Sequence, residues 1–331
     1  MAQSVIMPRK PRIEYAGAVY HVLNRGNYRN DLFAVENAGA SFEKTLFETC
    51  SRYGWRLHAY VLMSNHYHLA VETREANLAV GMQWLQSTFA NRFNRIVRDR
   101  GHVFQGRYKA LLIERGESLL CVVNYIHLNP VRAGIETLER LRDYRLSSFP
   151  KYFTRNRASC LDNTEWLALA GELKPTLAGM RCYHRYLAFA AEADAKRRSE
   201  LYRQLCRGWY IGTREGKSAL VKEVAKGLHV TTRPNEPCGF AEERGDLCLR
   251  RGLSRLGRTE RDLTSDRKLA PWKVVLASWI KLQCGVSNRW LSEHMAMGNI
   301  YSISKAVTAE TRKDNRRTRL WKRLGTPKSK A

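Results

Sequence analysis

Two strand-like runs separated by only two residues constrain this chain more than any other feature. Residues 55–63 (WRLHAYVLM) and 66–72 (HYHLAVE) are rich in aromatic and branched apolar side chains, and Ser64 and Asn65 between them are turn formers. The spacing predicts an antiparallel hairpin. An earlier run, residues 17–24, reads as a strand ended by Arg25, Gly26 and Asn27. Residues 42–53 place Phe42, Leu46, Phe47 and Cys50 at helical spacing and stop at Gly54. Residues 78–98 repeat the helical pattern with Leu78, Met82, Leu85, Phe89, Phe93 and Ile96, and carry Arg92, Arg95 and Arg98. Residues 103–114 read as a further strand, and 117–129 as a helix stopped by Pro130, because a residue before proline avoids the α region. The first 150 residues thus predict a domain of mixed strands and helices.

Charge narrows the partner. The 331 residues carry a formal net charge of +26, of which +7 falls on residues 1–150 and +19 on the remainder. Such an excess favours a polyanion, of which nucleic acid is the commonest for a soluble chain. No apolar run is long enough for a membrane span, and the first residues lack the apolar core of a secretory signal, so a cytoplasmic location is expected. None of the eight cysteines forms a C-x-x-C pair, which argues against zinc ribbons and dithiol redox motifs.

His66 and His68 are the chain's one H-x-H. On a strand, residues i and i+2 share a face, so both imidazoles can converge on one ion. The spacing alone fits two histidines on a half-wet sheet face better. In the helix 117–129, Leu119, Val122, Val123 and Ile126 form the apolar stripe, and Tyr125 and Asn129, one turn apart, share its edge. His127 falls toward the opposite edge. Glu72 has the strand parity of the histidines but reads more readily as a solvated strand end. Arg107 and Lys109 share parity on their own strand and suit DNA phosphates, or simply a charged exposed face.

These segments carry a resemblance. Residues 62–69 (LMSNHYHL) resemble the HUH motif of tyrosine transposases, and residues 124–134 (NYIHLNPVRAG) resemble their catalytic helix. Together with residues 103–109 (VFQGRYK), which lie between them, they are similar to the REP-associated tyrosine transposases, a branch related to the IS200/IS605 single-strand transposases. The resemblance spans residues 8–150. It implies an α+β fold, a ferredoxin-like antiparallel sheet with helices, and cleavage and rejoining of single-stranded DNA at palindromic, REP-like hairpins. Carried over by position, Tyr125 is the nucleophile, and His66, His68 and Asn129 hold a divalent metal. Asn129 stands where related enzymes have glutamine, and Tyr67 stands where the motif usually has a bulky hydrophobe. The family suggests Mg²⁺, whereas two imidazoles with an amide oxygen lean toward Mn²⁺. A free phenol titrates near ~10, so it needs electrostatic help to attack a phosphodiester at neutral pH. Arg92, Arg95, Arg107 and Lys109 are the expected DNA contacts of this domain.

Beyond residue 150 the sequence predicts a helical basic connector, 151–265, and a helix-turn-helix-like region with a basic tail, 266–325. Residues 272–280 and 287–295 read as helices. The turn at Met297, Gly298 and Asn299 then leads to a helix from Ile300 that offers Tyr301, Ser302 and Lys305 to duplex DNA. A non-catalytic DNA-binding regulator descended from a transposase is the alternative, and a small replication or relaxase nickase a third. Monomer and dimer are both left open.

Overall fold

The hairpin forms as its sequence predicts. The computed structural model describes residues 13–195, 204–225, 240–312 and 318–325. In it β2 (Trp55–Leu62) pairs antiparallel with β3 (His66–Thr73), from Trp55 opposite Thr73 to Leu62 opposite Tyr67. The Met63 N–H closes the turn by donating to the His66 carbonyl at 2.8 Å. β1 (Ala18–Arg25) lies between β3 and β4 (Lys109–Ile113), antiparallel to both, and β5 (Tyr210–Ile211) adds parallel to β4. The sheet order is β2-β3-β1-β4-β5.

α1 (Ala38–Tyr53) joins β1 to β2, and α2 (Leu78–Val97) joins β3 to β4. The resulting βαββαβ order with β1 and β3 central is the ferredoxin-like arrangement. Gly54 ends α1 in the left-handed region at φ 67°, its N–H donating to the Cys50 carbonyl. Both helices cover the sheet face that carries Tyr67. The Tyr67 ring lies 4.8 Å from Phe42 by centroids, and Phe42 lies 5.0 Å from Phe89. Gly81 lets α2 approach the Trp55 indole, which a Cβ at that position would overlap.

Two expectations about the next segment need correction. Only Lys109–Ile113 is strand. Residues 103–108 instead wrap the end of β1, where the Asn27 N–H donates to the Val103 carbonyl at 2.9 Å and the Gln105 N–H to the Arg25 carbonyl at 2.9 Å. Pro130 does not stop the helix either. α3 (Glu117–His127) passes through Leu128, at φ −82° and ψ −1°, straight into the short α4 (Asn129–Arg132). Proline is tolerated there because a first-turn residue has no intrahelical N–H bond to lose.

The stretch expected as a connector is shared between two units. Its described residues 151–195 and 204–225 belong to the unit of the sheet. α5 (Ser148–Lys151), α6 (Thr164–Leu169) and α7 (Leu177–Ala195) bring Phe149, Trp166 and Tyr183 around the buried His127, which sits 3.1 Å from Tyr183 Oη and 3.0 Å from Ser148 Oγ. The sequence-predicted linker at 231–239 lies outside the described residues. The helix Phe240–Leu256 belongs to the second unit, where Leu249 and Leu253 join a core with Trp272, Leu276, Trp279, Ile280, Trp290 and Trp321. In that unit Gly285 ends the helix Pro271–Cys284 at φ 68°. Ser287 caps Asn288–His294 by accepting from the Trp290 N–H at 3.0 Å, and a turn leads to Ile300–Arg312. Among the described residues no helix is long and apolar enough to cross a membrane.

Candidate active site

Strand parity puts His66 and His68 on the sheet face opposite Tyr67. The register extends this face into rows: Arg25 stands opposite His66, and Leu23 lies between His68 and Lys109. His21, opposite Ala70, shares the face as a diagonal neighbour of His68. The His66 and His68 rings lie 5.1 Å apart by centroids. α3 lowers Tyr125 onto the same face, with its ring 5.6 Å from His68 and 6.0 Å from His21, edge-on to both.

Tyr125 is 7% exposed and held from several sides. The Arg132 guanidinium lies over its ring at 4.6 Å and donates from Nη1 to its carbonyl at 2.7 Å. The Cys206 thiol lies 3.3 Å from its hydroxyl. Asn129 Nδ2 donates to the same carbonyl at 2.9 Å, a contact that occupies the amide nitrogen rather than Oδ1.

The three imidazoles are poised as neutral bases. Burial drives His21 and His66 down to about 4, with the Arg25 cation adding to the effect at His66. Burial also drives His68 well below the ordinary range, with His21, His66, Arg132 and Arg25 all unfavourable to a further positive charge. Neutral histidine is the form that ligates metal. His66 Nδ1 is 2.8 Å from Asn65 Oδ1, and His68 Nδ1 is 2.9 Å from His21 Nε2. Each ring therefore uses Nδ1 within the protein and has Nε2 for a ligand, which is how a metal-binding histidine is usually anchored. Two neutral imidazoles on one sheet face are donors that suit a divalent ion such as Mn²⁺.

His21, His68 and Cys206 also offer ligand atoms within 4.8 Å of one another. That set would suit zinc by softness. The 2.9 Å between the two ring nitrogens is a hydrogen-bond length, shorter than two nitrogens on one tetrahedral zinc adopt, which favours the hydrogen-bonded reading.

The remaining expected residues divide. Lys109 is exposed in the row of His68, and Arg107 is exposed on the loop that wraps β1 beside His66. The Asn24 amide fixes that loop by donating to the Gly106 carbonyl at 3.0 Å. Arg92 and Arg95 belong to α2, which covers the other face of the sheet, so the structure does not bring them to the histidines. Arg92 pairs with Glu48 at 2.9 Å and donates to Thr45 Oγ1 at 2.7 Å, while Arg95 is exposed. Glu72 is not a solvated strand end. It is buried, 2.9 Å from Arg115 and 3.3 Å from His58, about 13 Å of strand away from His68. Tyr301, Ser302 and Lys305 are exposed on the helix Ile300–Arg312, opposite its buried Ile303 and Val307.

Sequence reading missed His21, Arg132 and Cys206. For His21 a signal existed: an imidazole inside the otherwise apolar run AVYHVL calls for a buried partner. Cys206 gave none, because its approach depends on a segment far along the chain.

Residues 14–129 match the family model described as "Transposase IS200 like". A solved REP-associated tyrosine transposase bound to a REP hairpin aligns at 16% identity and a TM-score of 0.38, over 48% of this chain and 94% of that one. No curated protein sequence gives a significant match. The hairpin, both histidines, Tyr125 and Asn129 therefore all lie in a segment, residues 14–129, that is similar to the IS200-like transposases.

Proposed function

We propose that this protein is a DNA transposase that cuts and rejoins single-stranded DNA at palindromic hairpins through a tyrosine–phosphate intermediate. The observation that carries the reading is the placing of Tyr125 against the His66–His68 face, on a helix whose next turn brings Asn129. His66, His68 and Asn129 would hold a divalent ion, which supplies charge to a non-bridging phosphate oxygen. The Tyr125 oxygen attacks phosphorus in line, the P–O3′ bond breaks, and a 3′-hydroxyl leaves while the 5′-phosphate stays on the tyrosine. The reverse attack by a 3′-hydroxyl re-forms the phosphodiester and frees Tyr125, so no nucleotide cofactor is consumed. The Arg132 guanidinium, over the ring and bonded to the Tyr125 carbonyl, holds the tyrosine against this face. Arg107 and Lys109 flank the face as phosphate contacts. The exposed Tyr301, Ser302 and Lys305 are the duplex-binding residues of the second unit in this reading, which its share of the net charge supports.

The test is a denaturing gel. The protein, incubated with a labelled single-stranded hairpin oligonucleotide and Mn²⁺ or Mg²⁺, is expected to give a covalent protein–DNA band that chelation prevents. Hairpin binding without any adduct, across a panel of hairpins with varied flanks, would instead indicate the regulator reading.

A further inference from the structure

We infer that His21 is a positioning residue. It fixes His68 in the tautomer that carries its proton on Nδ1 and its lone pair on Nε2, and a downstream segment of the chain anchors it. The inference rests on reading His68 as a metal ligand. It starts from the Leu205 carbonyl, 2.7 Å from His21 Nδ1. A carbonyl oxygen can only accept, so His21 Nδ1 bears a proton. His21 is fully buried and, among the described residues, has no carboxylate against it. A second proton would bury an uncompensated charge, so its Nε2 keeps the lone pair. Across the 2.9 Å contact to His68 Nδ1 the proton therefore belongs to His68, and the neutral His68 ring is left with a bare Nε2. The result is a directed chain in which His68 Nδ1–H donates to His21, and His21 Nδ1–H donates to the Leu205 carbonyl.

The chain crosses a boundary that motif reading does not. His21 and His68 belong to the 14–129 segment, whereas Leu205 lies well beyond it. Its segment is clamped onto the edge of the sheet, where the Leu112 N–H donates to the Trp209 carbonyl and the Glu114 N–H to the Ile211 carbonyl, both at 2.8 Å. The same segment sets Cys206 against the Tyr125 hydroxyl. In water the Nε2–H form of a neutral histidine predominates, so without the chain His68 would more often present a proton where a ligand must present a lone pair.

Two measurements test this. Long-range proton–nitrogen NMR on histidine-labelled, metal-free protein reads the tautomer directly. His68 is expected as Nδ1–H in the wild type and shifted toward Nε2–H in His21→Leu. Calorimetric titration with Mn²⁺ is expected to show affinity about 10–100-fold weaker in His21→Leu. His21→Gln, whose amide oxygen can accept from His68, should recover most of it. That pattern separates positioning from general destabilisation, which the Gln variant would share. An Nε2–H His68 in the wild type, or undiminished Mn²⁺ affinity in His21→Leu, overturns the inference. If the wild type binds no Mn²⁺, the metal reading fails, and the tautomer measurement, which needs no ion, decides the His21–His68 assignment by itself.

Discussion

Tyr125→Phe is expected to abolish covalent capture of hairpin DNA, slowing adduct formation by at least about 10⁴-fold while the fold stays intact. The size follows from chemistry, since phenylalanine has no oxygen to attack phosphorus and a bound ion alone would form no protein–DNA bond. The variant is informative because it keeps the ring. The edge-on contacts with His68 and His21 and the Arg132 guanidinium over the face all survive the change. The hydroxyl and its contact with Cys206 are lost, at a stability cost of about 1 kcal/mol. The expected result is therefore a protein that melts near the wild-type temperature, binds the oligonucleotide and gives no covalent band. Adduct formation at the wild-type rate would move the nucleophile to another residue.

The second large effect concerns stability and lies away from the chemistry. Glu72→Gln is expected to cost about 2–3 kcal/mol at neutral pH. His58, the largest cause, together with Arg115, holds the Glu72 carboxyl at about 2 against burial that works to raise it. Because the folded value lies below the unfolded one, the ionised carboxylate contributes fully above the ordinary carboxylate range, near 4.5. Its contribution falls away as pH drops from about 4.5 to about 2. The figure is kept low because Arg115 and Arg56 stand half in solvent, where water screens their share. Urea unfolding of both proteins at pH 7 and near pH 2.5 checks the sign, since the gap between them should shrink sharply in acid. A gap unchanged with pH would mean that packing, not the ionised group, accounts for the loss.

Glu72 also shows where parity reasoning stops. Alternation along β3 places it on the face of His66 and His68, and the structure agrees. Alternation does not reveal that His58, beside the irregularity in β2 pairing, and Arg115, beyond β4, close over it. Arg92 shows the same limit from the other direction. Its helix was legible from apolar spacing, but the sheet face that helix covers depends on the handedness of the connections. The loop at 103–108 was read as strand because its residues favour extended backbone, yet the end of β1 captured it.

The sequence by itself determined what is local. Strand character in 55–63 and 66–72, helical spacing in 42–53, 78–98 and 117–129, and the caps at Gly54, Gly285 and Ser287 follow from periods and turn residues a few positions apart. The His-x-His pair and the Tyr125–Asn129 turn are local in the same sense, so the candidate site was legible before its surroundings were. Only the tertiary structure decided what surrounds them. It set His21 beside His68, Arg132 over Tyr125, Leu205 against His21 and Cys206 against Tyr125. It also assigned residues 151–195 and 204–225 to the unit of the sheet and the helix Phe240–Leu256 to the second unit. The physical reason is that a hydrogen bond between residues 21 and 205 leaves no periodic trace. It exists because β1 is central in the sheet, β4 is its neighbour, and the chain returns to β4 to bury Cys206 and Ile211.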